Sequence, residues 1–276
     1  MTGTYQSGGA RLAFLDSGRG LPVVFLHPTP LDHDYWRPLT EEMAGLRAIV
    51  VDLRGHGGSE LGTLPVGDFD RVPDAPVLTM AQLATDILAL LDFLGVQEAV
   101  FAGCSIGGYV LLELWRQSHQ RVRGLVFVCS KPQPDAEANL AKRVANIAQA
   151  RAGGAEALFD GMAQSLISAT ARERRPQIVH ELRSRMTITS EAAVAVQAGL
   201  AIRPDSVPTI TTIDAPVLAI AGGEDSTVAA AEMEALRAAP GGCEFHLLPD
   251  AGHFAAYEDP GKVAALLARW LGKFEV

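Results

Sequence analysis

Short runs of valine, isoleucine, leucine and phenylalanine recur along this chain, each closed by a glycine- or proline-bearing loop and usually followed by a helical pattern. "PVVFLH", "LRAIVVD", "EAVFAGC", "RGLVFVCS" and "APVLAIAGG" are the clearest of them. None alternates apolar with polar residues, so a strand made from any of them would be wetted on neither face. Continuous apolar strands of this kind belong in a parallel sheet covered by helices on both sides. The segment between the second and third runs, "TMAQLATDILALLDFLG", supplies such a cover. Its apolar residues fall at 80, 83, 87, 90, 91 and 94, the spacing of one packed helix face, and Gly95 can stop it.

Outside these units the pattern changes twice. At the start, "ARLAFLDSG" reads as a strand paired with a short one near Tyr5. Between about 131 and 208 strand runs disappear, and helical stretches are expected near 136–151, 155–169, 172–184 and 189–201. "RPDSVPTITTI" reads as a return linker, after which a strand, a helix through "AAAEMEALRAA", the strand "CEFHLLP" and a last helix from Pro260 complete the alternation. We therefore expect a core of residues 1–130 and 209–276, interrupted by a helical cap with its linker at 131–208. The bland alternative is a helical excursion without a binding role. Its position after a strand-loop unit favours a lid.

Composition narrows the function classes. With 276 residues, 48% hydrophobic and 20% charged, the chain is large enough for one well-buried α/β domain and ordinary for a globular protein. A net charge of −9 opposes binding to nucleic acid or to an anionic membrane surface. Neither a signal-peptide core nor a bilayer-length apolar run is present, which makes a cytoplasmic location the expectation. Cys104, Cys129 and Cys243 are odd in number and lack metal-ligand spacing, so reduced and mostly buried thiols are expected.

"LHPTP", "DLRGHGGS", "GCSIGG", "GGED" and "DAGHF" follow one another in this order. The whole pattern resembles the alpha/beta-hydrolase fold family, especially its small bacterial esterase, lactonase and cofactor-free haloperoxidase-like members. The resemblance implies an α/β fold with a mostly parallel central sheet, flanking helices and a helical cap. In it, Gly103-Cys104-Ser105-Ile106-Gly107 has the nucleophile-elbow form: glycines at 103 and 107 remove side chains that would collide with neighbouring backbone, leaving the Ser105 hydroxyl presented.

A serine hydroxyl needs a base within reach. His253 is the best candidate, since it stands in a loop after the last strand; His246 sits inside a strand pattern. Asp225 resembles the family's acid in motif and chain order. Glu224 is its adjacent competitor, and Asp250, close to His253, more readily shapes a turn. The same resemblance aligns the backbone N–H groups of Thr29 and Ile106 with the oxyanion donors. Here the chain departs from the His-Gly of many relatives, because Pro28 and Pro30 carry no N–H and Thr29 is left as the lone donor of its turn.

"DLRGHGGS" has neither dinucleotide nor phosphate-loop spacing and is expected to support the fold near the site entrance. His27 reads as a turn-stabilising residue. His33, Asp32 and Asp34 are placed either at the pocket mouth or on a solvated turn, and residues 61–78 on a surface loop or the pocket rim. The expected function is hydrolysis of a small-to-medium, partly apolar ester or lactone through an acyl-enzyme, with no metal or organic cofactor. Cleavage of a C–C, amide or thioester bond, biosynthetic cyclisation or rearrangement, and noncatalytic binding of a small molecule are the alternatives.

Overall fold

The computed structural model describes residues 1–43, 45–69 and 72–274. Among these described residues ten strands form: β1 (Thr2–Ser7), β2 (Ala10–Gly18), β3 (Leu21–Leu26), β4 (Leu46–Val51), β5 (Val66–Phe69), β6 (Val72–Pro76), β7 (Ala99–Cys104), β8 (Val122–Val128), β9 (Val217–Gly222) and β10 (Cys243–Leu248). Eight of them make one sheet in the order β1-β2-β4-β3-β7-β8-β9-β10. The pairs β1–β2 and β2–β4 are antiparallel and the rest parallel. From β3 the chain passes to β4 on one side, then crosses to β7 on the other. The carboxyl ends of β3 and β7 therefore border the crevice at which such sheets hold their ligands.

Both faces are dry, as the unbroken apolar runs require. The central strands deal their residues alternately into two cores: Val23, Phe25 and Ala102 to one face, Val24, Leu26 and Phe101 to the other. The helices are α1 (Arg37–Glu41), α2 (Met80–Leu94), α3 (Ile106–Ser118), α4 (Glu137–Gly153), α5 (Glu156–Ser165), α6 (Ala169–Arg174), α7 (Ile178–Ser184), α8 (Ser190–Ala201), α9 (Val207–Ile210), α10 (Ala230–Met233), α11 (Ala255–Glu258) and α12 (Pro260–Leu271). Leu83 and Leu90 of α2 and Val110 and Leu114 of α3 cover one face. Leu39 of α1 and Leu267 and Trp270 of α12 cover the other. Gly95 ends α2 in the left-handed conformation at φ 65°, as its position suggested.

A helical insertion, α4 to α9, leaves the sheet after β8 and returns at β9. Its detail departs from the periodicity. The stretch expected at 172–184 is split between α6 and α7 at Pro176, because the residue before a proline is driven out of helical geometry; Arg175 sits at φ −137°, ψ 76°. The return linker holds a helical turn, α9, with Pro208 in its first turn. Residues 61–78 are also more than a surface loop. They contain the β5–β6 hairpin, and Leu78 donates its N–H to Ala195 of α8 at 3.1 Å. Gly199 of α8 permits that approach: a Cβ there would stand 1.8 Å from the Leu78 carbonyl oxygen.

Candidate active site

β7 is buried along its whole length and turns at Ser105 straight into α3. Ser105 adopts φ 53°, ψ −116°, a region disfavoured for a side chain with a Cβ. Two hydrogen bonds hold it there. Its N–H donates to the Val128 carbonyl at 3.1 Å, and its own carbonyl accepts from the Ser130 hydroxyl at 2.8 Å. The glycines do what the motif demanded. A Cβ on Gly103 would lie 2.4 Å from the Gly107 carbonyl carbon, and one on Gly107 would lie 2.4 Å from the Leu26 oxygen. The start of α3 thus rests directly on the end of β3. The Ser105 hydroxyl has no hydrogen-bond partner among the described residues.

Asp225 follows β9 and His253 follows β10, so both stand at the same carboxyl edge as Ser105. His253 Nδ1 lies 2.8 Å from Asp225 Oδ2, and both side chains are essentially sealed from solvent, at 3% and 0% exposure. A carboxylate only accepts, so Nδ1 carries the proton and Nε2 is the ring's free acceptor. Asp225 Oδ1 takes the N–H groups of Thr227 at 2.8 Å and Val228 at 3.0 Å. Burial pushes the Asp225 carboxyl up, but the charge and hydrogen bond of His253 and these two amides outweigh it, holding the group below the usual carboxylate range. The backbone of His253 lies beneath Ser105's neighbour: Cys104 Sγ donates to the His253 carbonyl at 3.5 Å.

The rival residues are engaged elsewhere. Glu224 binds the N–H and hydroxyl of Thr170. Asp250 pairs with Arg174 at an exposed position, and His246 contacts Arg269 on the edge strand.

Beyond β3, neither the Thr29 nor the Ile106 N–H is taken up by an acceptor among the described residues, although Thr29 is buried and Ile106 wholly so. Buried amides are rarely left this way. The Thr29–Pro30 peptide is cis. The hydroxyl of Thr29 is committed: His56 Nδ1–H donates to the Arg54 carbonyl at 3.0 Å, leaving Nε2 to accept from Thr29 Oγ1 at 2.9 Å. His27 works similarly as a turn brace, with Nδ1–H on the Pro28 carbonyl at 3.0 Å and Nε2 accepting from the Leu53 N–H at 2.9 Å. Burial and the neighbouring His56 lower His27 to about 3, and burial also lowers His56. Burial thus favours the neutral form of both rings. In the sequence His27, His33 and His56 form no metal pattern, and nothing there points to this contact of His56, because a histidine in a glycine-rich loop gives no sign of the hydroxyl it will meet.

The rest of "DLRGHGGS" is scaffold. Arg54 is buried in a bidentate pair with Asp86 of α2, and Asp52 accepts from the Gly58 N–H at 2.8 Å. His33 is joined to Asp52 Oδ1 at 2.7 Å and Asp34 to Arg185 of the insertion, so this stretch is a pinned junction and not a solvated turn.

A cavity of about 250 Å³ lies between α3, the insertion and the loop after β9. Ser105, Asp225 and His253 are not in its lining; nearest to them are Tyr109 of α3, Leu166, whose carbonyl accepts from the His253 N–H, and Ser226 and Thr227, which follow Asp225. Its remaining wall is strongly polar, with Lys131, Lys142, Arg143, Asn146 and Gln197. Asp135 is the one acid in that wall, and it is held between Arg143 and Arg203 at 3.0 and 2.6 Å. Burial raises its carboxyl, but the two guanidinium groups more than offset that and lower it. Among the described residues, no three His, Cys, Asp or Glu side chains converge as metal ligands would, and no helix is long and apolar enough to cross a membrane.

Residues 23–266, from β3 into α12, match the model of the alpha/beta hydrolase family. The chain belongs to the alpha/beta hydrolase family. Among curated proteins, it is 30% identical over 94% of its length to 2-succinyl-6-hydroxy-2,4-cyclohexadiene-1-carboxylate synthase of Klebsiella pneumoniae, of which it covers 98%. Among solved structures, a thermophilic esterase from Thermogutta terrifontis, with malate bound, superposes at a TM-score of 0.88. It is 29% identical, and 99% of this chain and 98% of that one are covered. Est816, an N-acyl homoserine lactone degrading enzyme, superposes at 0.80 with 26% identity, covering 97% and 99%. This alpha/beta hydrolase is an enzyme acting on a small organic substrate.

Proposed function

We propose that this enzyme acts on the carbonyl group of a small substrate that carries a carboxylate, with Ser105, His253 and Asp225 as its triad and the Thr29 and Ile106 N–H groups as oxyanion donors. The observation that carries the substrate class is the polar wall beside the triad elements. Lys131, Lys142 and Arg143 face one acid, Asp135, and only Lys131 is also paired outside that lining, with Glu232. An anion entering the cavity therefore meets excess positive charge.

The triad chemistry begins with the free Nε2 of His253. In the reading we favour, His253, acting alone or through Ser105 Oγ, removes a proton next to the substrate carbonyl. Negative charge moves to the carbonyl oxygen and is met by the two N–H groups. Removing one such donor typically costs about 10²–10³ in rate. The electron pair then either expels a leaving group, which takes the proton from His253, or adds to an electrophilic carbon of the same substrate and closes a ring, the resulting anion taking that proton. Asp225 keeps Nδ1 protonated throughout and stabilises the imidazolium. The synthase name shared by the curated relatives, over nearly the whole chain, supports this non-hydrolytic reading.

A second reading has its own support, in the Thermogutta esterase at 29% identity. Ser105 would attack an ester or lactone carbonyl, the alcohol would leave with a proton from His253, and water would release the acid. In both readings Ser105→Ala loses labelling by a fluorophosphonate while remaining folded, and it loses most of its turnover wherever Ser105 Oγ attacks the carbonyl or relays the proton.

Isotopes separate the two. A panel of oxo acids, carboxylate-bearing esters and lactones is turned over in deuterated water and, separately, in H₂¹⁸O. Deuterium at carbon without ¹⁸O in the product supports proton abstraction, and ¹⁸O in a new carboxylate supports hydrolysis. Full turnover by folded S105A and H253A variants would remove the triad reading altogether.

A further inference from the structure

Residues 165–170 join α5 to α6 and belong to the helical insertion, yet they are bound to both loops that carry the candidate acid and base. The Ser165 carbonyl accepts from the Ser226 hydroxyl at 3.0 Å, beside Asp225. Leu166 accepts from the His253 N–H itself at 2.9 Å. Ser168 donates its N–H to Glu258 at 3.1 Å, and Thr170 gives its N–H at 3.1 Å and its hydroxyl to Glu224.

Glu258 gathers more than this one amide. It stands on α11, one turn beyond His253, and also accepts the N–H groups of Gly252 at 2.9 Å and Phe254 at 3.2 Å. One carboxylate thus holds the amides on either side of His253 together with an amide of the insertion. The packing leaves little slack, since a Cβ on Gly252 would lie 2.5 Å from the Ser168 nitrogen. Glu224 stands beside Asp225 as Glu258 stands near His253. Its carboxyl is lowered mainly by the Thr170 hydroxyl and then by the Thr170 N–H.

We propose that Glu258 and Glu224 are positioning residues for His253 and Asp225, and that residues 165–170 are thereby a fixed part of the catalytic frame rather than of a moving lid. The proposal rests on the triad reading above. The physical reason is geometric. The His253 ring is located by its backbone, and its 2.8 Å contact with Asp225 tolerates little displacement. A misplacement of about 1 Å can cost on the order of 10²-fold in rate.

The test uses the full chain and three readouts: hydrolysis of p-nitrophenyl acetate, the second-order rate of Ser105 labelling by an alkyl fluorophosphonate, and the low-field NMR resonance of the His253 Nδ1 proton. Glu258→Gln keeps the bulk but points an NH₂ at backbone donors. It should lower kcat and labelling by about 10- to 100-fold with KM within about twofold, and should move the Nδ1 proton resonance upfield as the contact with Asp225 loosens. A folded E258Q protein with wild-type labelling and a wild-type Nδ1 resonance overturns the proposal, as does a loss that disappears once unfolded protein is discounted.

If E258Q does not fold, the acid-side clamp decides the matter. Glu224→Gln and Thr170→Val should each slow labelling by about 3- to 10-fold, and the double variant should be no slower than the worse single one. No effect, or fully additive effects, overturns it. Asp225→Asn is the control: if it too labels normally, the triad reading has failed, whereas impaired D225N beside normal E258Q rejects the clamps alone.

Discussion

At the scale of single residues, three carboxylates compete near the triad, and their contacts separate them. Asp225 touches His253, Glu224 touches Thr170, and Asp250 touches only the exposed Arg174. Asp225→Asn should therefore lower kcat by roughly 10³- to 10⁴-fold, as expected when the imidazole loses its tautomer and counter-charge. Asp250→Asn should leave kcat within about twofold, because exposed pairs contribute little. Steady-state kinetics of the two variants checks both. His33 carries a pH prediction. Its hydrogen bond to Asp52 raises its pKa, against the opposing effect of burial. A raised histidine stabilises the fold fully below its unfolded value of about 6.5, and that contribution is lost as pH rises through the folded value. His33→Gln should thus lower Tm more at pH 6 than at pH 9. An equal loss at both would show that the pair carries no titrating stability.

At the scale of elements, the strands were legible because a parallel sheet covered on both faces demands nearly unbroken apolar runs, so β3, β4, β7, β8 and β9 announce themselves. The tight turn at Ser105 was legible because only glycine fits at 103 and 107. Helix ends within the insertion were not. The split at Pro176 follows a local rule, but α6 begins where Ser168 caps the Ala171 N–H and where Glu224 and Glu258 receive backbone amides. Those partners lie more than fifty residues away in sequence. The α8–β6 seam is another long-range feature, and it makes a stability prediction. Gly199→Ala would press a methyl onto the Leu78 carbonyl, and overpacking of this kind costs about 1–3 kcal/mol. Thermal unfolding should move down by roughly 2–10 °C. An unchanged Tm would mean that α8 can shift off β6 freely.

At the scale of the whole molecule, the insertion supplies much of the cavity wall and the core carries the proposed triad, so outside residues 165–170 substitutions in the insertion should change substrate choice more than chemistry. Lys142 of α4 lines the cavity and has no ion-pair partner among the described residues. Lys142→Met should raise KM for carboxylate-bearing substrates by about 10-fold or more, the loss of one charged hydrogen bond, while leaving kcat and neutral esters nearly unaffected. A parallel loss on charged and neutral substrates would reject the anion-binding wall. Local chemistry in the sequence was enough to determine the sheet strands and the glycine-flanked serine, because each depends on residue type and near neighbours, whereas the order of Ser105, Asp225 and His253 was read from the family resemblance. The tertiary structure alone decided which acid meets His253, that the Thr29 and Ile106 N–H groups find no acceptor among the described residues, that His56 receives the Thr29 hydroxyl, and that Glu258 and Glu224 bind the insertion. Those are contacts between distant segments, and no periodicity or motif records which side chains a fold will bring within hydrogen-bond reach.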